Sequence, residues 1–168
     1  MINAKIAVVY GLGGAWFDPP GGERQLCQRL ATLPLSVPAS PFDYSDSQGI
    51  YEWLKDAQWR GIIGDSLGAS YMPNYCEPLP TVDYCAGFQP SVYASTVHDG
   101  NEITIPNNVK QAHCIRDPNW IDTGGLGYAI WVAGPLVKME VTPVKAPHPD
   151  DWGPSQDLIF NEVKGLIT

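Results

Sequence analysis

The chain is poor in charge, and above all in positive charge. Only 17% of its 168 residues are charged, and 10 lysines and arginines stand against 18 aspartates and glutamates, for a net charge of −8. This balance argues against nucleic acid or an anionic membrane as the main partner, because both attract basic surfaces. No apolar run approaches the length of a membrane span.

Metal-ligand spacing and a leader pattern are also missing. The cysteines Cys27, Cys76, Cys85 and Cys114 form no C-x-x-C pair and show no zinc spacing with histidine. They stand beside apolar residues, as buried free thiols do. No basic stretch followed by a long apolar one opens the chain. We therefore expect no metal and a reducing, cytoplasmic location.

What is present is an alternation of strand and helix patterns, in a chain that is 44% hydrophobic. It predicts one α/β domain over residues 1–168, a three-layer sandwich with a mostly parallel sheet of about six strands and helices on both faces. The predicted strands are Lys5–Tyr10, Arg60–Asp65, Thr81–Ala86, Val109–Arg116 and Val137–Val144, with room for a short one at Leu35–Val37; the predicted helices are Glu23–Leu33, Gln48–Gln58 and Asp157–Ile167.

The segment Gly64-Asp65-Ser66-Leu67-Gly68 has the form G-x-S-x-G, between a predicted strand and a predicted helix start. That context is the one a nucleophile elbow requires, with the serine held on a tight, strained turn. Ser66 is therefore the candidate nucleophile. The backbone N–H of Leu67 is the candidate donor to an oxyanion. Because Pro73 follows closely, the helix after the turn should be short or kinked.

A catalytic serine needs a base, and the chain offers three histidines. His113 lies inside a predicted strand, which is typical of a packed residue or of one exposed on a face of the sheet. His98 lies in a predicted turn. His148 lies between two prolines, after the last predicted strand and before the last helix. A loop there can deliver an imidazole to the serine, so His148 is the preferred base.

The acid that orients this base should leave the preceding strand. Asp117 follows Arg116 at the end of a predicted strand, and Pro118 ends that strand. Asp117 is therefore the preferred acid, with Asp122 as the alternative and Asp99 as a weaker third. An Asp-Pro pair also opens ordinary turns, so this assignment is the least specific of the three.

The order Ser66, Asp117, His148, together with YGLGG after the first strand and GDSLG at the turn, resembles the α/β-hydrolase superfamily. The resemblance frames Lys5 to Ile167 in a reduced, lidless form. It implies a serine esterase that acts through an acyl-enzyme on a small-molecule acyl substrate, without a cofactor. It also implies that the backbone of Leu12 supplies the second oxyanion donor. The chain carries Tyr10-Gly11 where many relatives have His-Gly.

Other interpretations of the same residues lead elsewhere. The letters GDSL also occur in the SGNH hydrolases, but their serine lies near the N-terminus and their histidine follows an aspartate by three residues, unlike here. The turn at Gly11 lacks the third glycine of a dinucleotide site, because Trp16 stands there. The alternative function is a non-catalytic binding protein of the same fold. A third is an interaction domain with an aromatic surface at Trp16, Phe17 and Trp152.

Overall fold

The computed structural model describes residues 3–11, 22–33, 37–93, 101–116, 126–144 and 152–167. Its strands are β1 (Ala4–Val9), β2 (Ala39–Phe42), β3 (Trp59–Asp65), β4 (Val82–Phe88), β5 (Ser91–Tyr93), β6 (Asn101–Ile105), β7 (Val109–Arg116), β8 (Leu126–Ala133) and β9 (Lys138–Pro143). Its helices are α1 (Glu23–Leu30), α2 (Ser47–Leu54), α3 (Leu67–Ser70), α4 (Met72–Cys76) and α5 (Trp152–Ile167).

Six of these strands form one sheet in which every neighbouring pair is parallel, in the order β2-β1-β3-β4-β7-β9. The other three form a smaller sheet in the order β5-β8-β6. The α/β class and the mostly parallel sheet are thus confirmed. Because the strands of the large sheet run the same way, the chain leaves β1, β3, β4, β7 and β9 at one carboxyl edge, where the sites of such sheets gather.

Alternate residues of the large sheet pack into two hydrophobic clusters. In β1, Ile6 and Val8 join one cluster, which contains side chains of α1 and α5. Ala7 and Val9 join the other, which contains side chains of α2 and α4. This follows from the two-residue period of a strand, and it explains why β1 is an uninterrupted apolar run.

Several local predictions are confirmed. The helix after the Ser66 turn is short, because α3 ends at Ser70 and a separate helix begins at Met72 with Pro73 in its first turn. All four cysteines are buried free thiols. Among the residues that the structure describes, no helix has the length and apolar character needed to cross a membrane.

Other boundaries differ from the prediction. The short strand expected at Leu35–Val37 falls largely on residues 34–36, which are outside the described part, and β2, at Ala39–Phe42, was not expected. Its Pro41 is tolerated because β2 is an outer strand that pairs only with β1. The smaller sheet was not expected from the sequence. Its strand β5 has only three residues, and its strand β8 contains a glycine, Gly127.

Candidate functional site

Ser66 lies alone between the end of β3 and the start of α3, on a strained backbone. Its φ is 50° and its ψ is −115°, outside the regions that L residues ordinarily adopt. One residue therefore makes the whole transition from strand to helix. Leu67 is the first helical residue, so its N–H has no acceptor within the helix. The strand–serine–helix arrangement that the motif predicts is present in the structure.

Close packing around this turn requires glycine on both sides of it. A Cβ on Gly64 would lie 2.6 Å from the carbonyl carbon of Gly68, and one on Gly68 would lie 2.5 Å from the carbonyl oxygen of Val9. A Cβ on Gly11 would lie 2.7 Å from the Cβ of Ser66. The chain leaving β1 therefore packs directly against the serine side chain.

Two further serines, Ser70 and Ser91, hold the backbone of the turn, and we call this pair the elbow clamp. The carbonyl of Ser66 accepts hydrogen bonds from the backbone N–H groups of Ser70 and Ser91, both at 3.2 Å. The Oγ of Ser70 lies 3.2 Å from that same carbonyl and 2.5 Å from the carbonyl of Ser91. The Ser66 N–H donates to the carbonyl of Phe88 at 2.9 Å, which ties the turn to β4 as well.

A second strained residue follows β4, the strand beside β3. Gln89 has a φ of 42° and is 1% exposed, and its N–H donates to the carbonyl of Ile115 in β7 at 2.8 Å. Strained residues of this kind cluster at functional sites. The sequence analysis gave no role to Gln89, Ser70 or Ser91. The only signal for Gln89 was its place as a polar residue in an otherwise apolar stretch.

The other predicted site residues lie outside the described residues. This applies to the base His148, the acid Asp117 with its alternative Asp122, the oxyanion donor Leu12, and His98 and Asp99. The structure does describe where the flanking strands end. Arg116 closes β7, which is separated from β3 by β4 alone, and Pro143 closes β9 at the outer side of β7.

The described part of the chain contains one histidine, His113, and of the two positions that the sequence left open for it, packed or face-exposed, it has the packed one, in β7. It is 1% exposed. Its Nδ1 lies 2.8 Å from both carboxylate oxygens of Glu162 on α5, and its Nε2 lies 2.7 Å from the Oγ1 of Thr142 on β9. The hydroxyl of Tyr84 donates to the same carboxylate at 2.5 Å. We call these four residues the α5-face cluster.

Burial and hydrogen bonding act in opposite directions on this cluster. Burial raises the pKa of Glu162, but the hydrogen bonds from His113 and Tyr84 outweigh it, so the net pKa of the carboxyl is lowered. Burial and the nearby carboxylate hold the pKa of Tyr84 well above its ordinary value. Glu162 is therefore an ionised acceptor and Tyr84 a neutral donor.

The described residues contain one group of side chains whose donor atoms could together hold a metal ion. Donor atoms of His113, Glu140 and Glu162 all lie within 4.8 Å of one another. Both ring nitrogens of His113 already have hydrogen-bond partners, however, and the carboxylate of Glu162 accepts from two side chains. The contacts of these residues are thus those of a hydrogen-bonded relay, and no metal is needed to explain them.

Comparison with known proteins adds no family to this geometry. No protein-family model matches the chain, and no curated protein is similar to it in sequence.

Proposed function

We propose that this protein is a small serine hydrolase, an esterase-like enzyme in which Ser66 is the nucleophile. The observation that carries the proposal is the backbone of Ser66, with φ 50° and ψ −115°, on a one-residue turn at the carboxyl edge of a parallel sheet. Such strain costs on the order of 1–3 kcal/mol and persists where the surroundings enforce it. At this position it presents a hydroxyl above the sheet beside a helix start.

The remaining roles are those that the strand ends and the resemblance to α/β-hydrolases imply. In the proposed mechanism His148 takes the proton of Ser66 as the hydroxyl attacks an acyl carbon, and later gives it to the leaving group. Asp117, or else Asp122, orients the imidazole. The N–H groups of Leu67 and Leu12 stabilise the oxyanion, and loss of one such donor costs on the order of 3 kcal/mol. The proposed architecture is the three-layer sandwich of an α/β-hydrolase.

A non-catalytic binding protein on the same fold is the second candidate. The observation that favours it is the burial of Ser66, which is only 3% exposed. A nucleophile has to meet its substrate, whereas a pocket residue of a binding protein does not have to react.

One labelling experiment separates the two candidates. The protein is incubated with an uncharged fluorophosphonate and the adduct on the peptide that contains residue 66 is measured by mass spectrometry after digestion, in wild type, in Ser66→Ala and in Ser45→Ala, which removes an exposed serine as a control. A hydrolase gives an adduct on this peptide that is lost in Ser66→Ala and kept in Ser45→Ala. The absence of a Ser66 adduct on folded wild type would support the binding protein.

The triad partners are tested next with short-chain esters. We expect His148→Ala to lower kcat by about 10³-fold or more. The acid is identified by comparing Asp117→Asn with Asp122→Asn, because only loss of the orienting carboxylate should lower kcat to a similar extent.

A further inference from the structure

The α5-face cluster has the connectivity of a second nucleophile–base–acid relay. Thr142 Oγ1 is at Nε2 of His113, at 2.7 Å, and the Glu162 carboxylate is at Nδ1, at 2.8 Å. In a serine hydrolase the hydroxyl, the imidazole and the acid are connected through the same two ring nitrogens. The cluster lies on different elements from the Ser66 turn: β7, β9 and α5.

The hydrogen-bond donors determine the direction of this relay. Glu162 is ionised and can only accept, so the proton between it and His113 resides on Nδ1. In the neutral tautomer with the proton on Nδ1, the lone pair lies on Nε2 and faces Thr142. In that tautomer the Thr142 hydroxyl donates to Nε2, which is the arrangement in which an imidazole removes a proton from a hydroxyl.

We propose that Thr142 is a second, base-activated hydroxyl that accepts acyl groups from small, uncharged donors. Thr142 is partly exposed on β9, an outer strand of its sheet. Glu140 and Glu162 place two carboxylates around the imidazole. The negative charge of these carboxylates disfavours anionic donors.

The chemical step needs only the acyl donor. Thr142 Oγ1 forms a bond to the carbonyl carbon of an ester, and its proton moves to His113 Nε2. The bond from that carbon to the alkoxy group then breaks, and the alkoxide takes the proton from the imidazolium. The acyl group ends on Thr142 and one alcohol leaves. With a fluorophosphonate, the Oγ1–P bond forms and fluoride departs.

The test uses the same probe, read by peptide mapping so that adducts on Thr142 and Ser66 are counted separately. We expect a slower adduct on Thr142 of wild type that persists in Ser66→Ala. Thr142→Val should abolish it, and Thr142→Ser should label several-fold faster because the hydroxyl loses its neighbouring methyl group. Glu162→Gln should slow it about 10²-fold, the usual lower range for loss of general-base assistance.

Thr81 is the internal control, since it is also partly exposed but its hydroxyl donates to a backbone carbonyl, that of Pro80, and not to an imidazole. The proposal is overturned if neither wild type nor Thr142→Ser forms an adduct at position 142, or if that position labels no faster than Thr81. If Glu162→Gln does not fold, the Thr142 variants decide. Because Ser66 is counted separately, the proposed function and this relay fail independently.

Discussion

The Ser66 turn and the α5-face cluster differ in what each supplies for nucleophilic chemistry. At the turn the hydroxyl stands on a strained backbone that three flanking glycines and the elbow clamp hold in place. In the cluster Thr142 lies on a regular strand, but its imidazole and carboxylate are already joined to it. The described residues thus give one region its backbone geometry and the other its proton relay.

The difference shows that backbone strain and side-chain hydrogen bonding are separate ways of preparing a hydroxyl. Strain fixes where the oxygen points, and a relay determines where its proton goes. Each region can therefore be weakened by its own kind of substitution, and the four changes below are ordered by the size of the expected effect.

The largest effect should come from adding one methyl group at the turn. Gly68→Ala places a Cβ 2.5 Å from the carbonyl oxygen of Val9. Because this oxygen belongs to the backbone, it can move away only if the strand itself shifts. We expect it to lower the free energy of unfolding by about 3 kcal/mol, the cost of severe overpacking, measured by urea denaturation. Gly165→Ala in α5 is the matched control, because its Cβ would meet nothing within 4 Å.

Gly165→Ala should instead raise the free energy of unfolding by about 0.5–1 kcal/mol, since alanine is the better helix former. An equal loss of unfolding free energy in Gly68→Ala and Gly165→Ala would mean that residue 68 does not pack against the carbonyl of Val9.

The α5-face cluster should make the stability of the protein depend on pH. The lowered pKa of Glu162 means that the folded state binds fewer protons than the unfolded state, so stability rises with pH. The contribution is complete above the ordinary glutamate pKa of about 4.3 and is lost as pH falls through the folded value. Glu162→Gln should cost about 2 kcal/mol near pH 7, the scale of hydrogen bonds to a charged group.

Denaturation of wild type and Glu162→Gln over a range of pH checks this. The difference in unfolding free energy between the two proteins should become smaller as the pH falls below about 4.3. If this difference in unfolding free energy stays constant at strongly acidic pH, Glu162 is not an ionised hydrogen-bond acceptor.

The elbow clamp should affect reactivity more than folding. Ser70→Ala removes the hydroxyl that links the carbonyls of Ser66 and Ser91. We expect fluorophosphonate labelling of Ser66 to slow about tenfold, or about 1.4 kcal/mol in the barrier, with Ser45→Ala unchanged. Ser70→Thr keeps the hydroxyl and should restore the rate; an unchanged rate in Ser70→Ala would show that the clamp does not position the nucleophile.

The smallest effect concerns the strain itself. Ser66→Gly and Ser66→Ala both remove the hydroxyl, but only glycine adopts a φ of 50° and a ψ of −115° without a steric penalty. The glycine variant should be the more stable of the two by about 1 kcal/mol, measured as the difference in thermal and urea unfolding. A more stable alanine variant would mean that Ser66 is not strained.

Much of the site geometry was predictable because it is local in sequence. Two glycines spaced around a serine, after an apolar run, leave few conformations other than a tight strand-to-helix turn. The place of His113 inside a strand was predictable for the same reason, but whether its side chain is packed or exposed was not. The glycine at position 11 was also visible, although its contact with the Ser66 side chain was not.

By itself the sequence determined the α/β class, the strand-to-helix turn at Ser66 and the burial of the free cysteines, because periodicity and turn chemistry depend on neighbouring residues. Tertiary structure alone decided the order of the strands, the strain at Gln89, the clamp from Ser91 to Ser66, and the meeting of Thr142, His113 and Glu162. The last contacts join residues 29 and 49 positions apart. Such contacts depend on which strands become neighbours and where α5 packs, which no local pattern encodes.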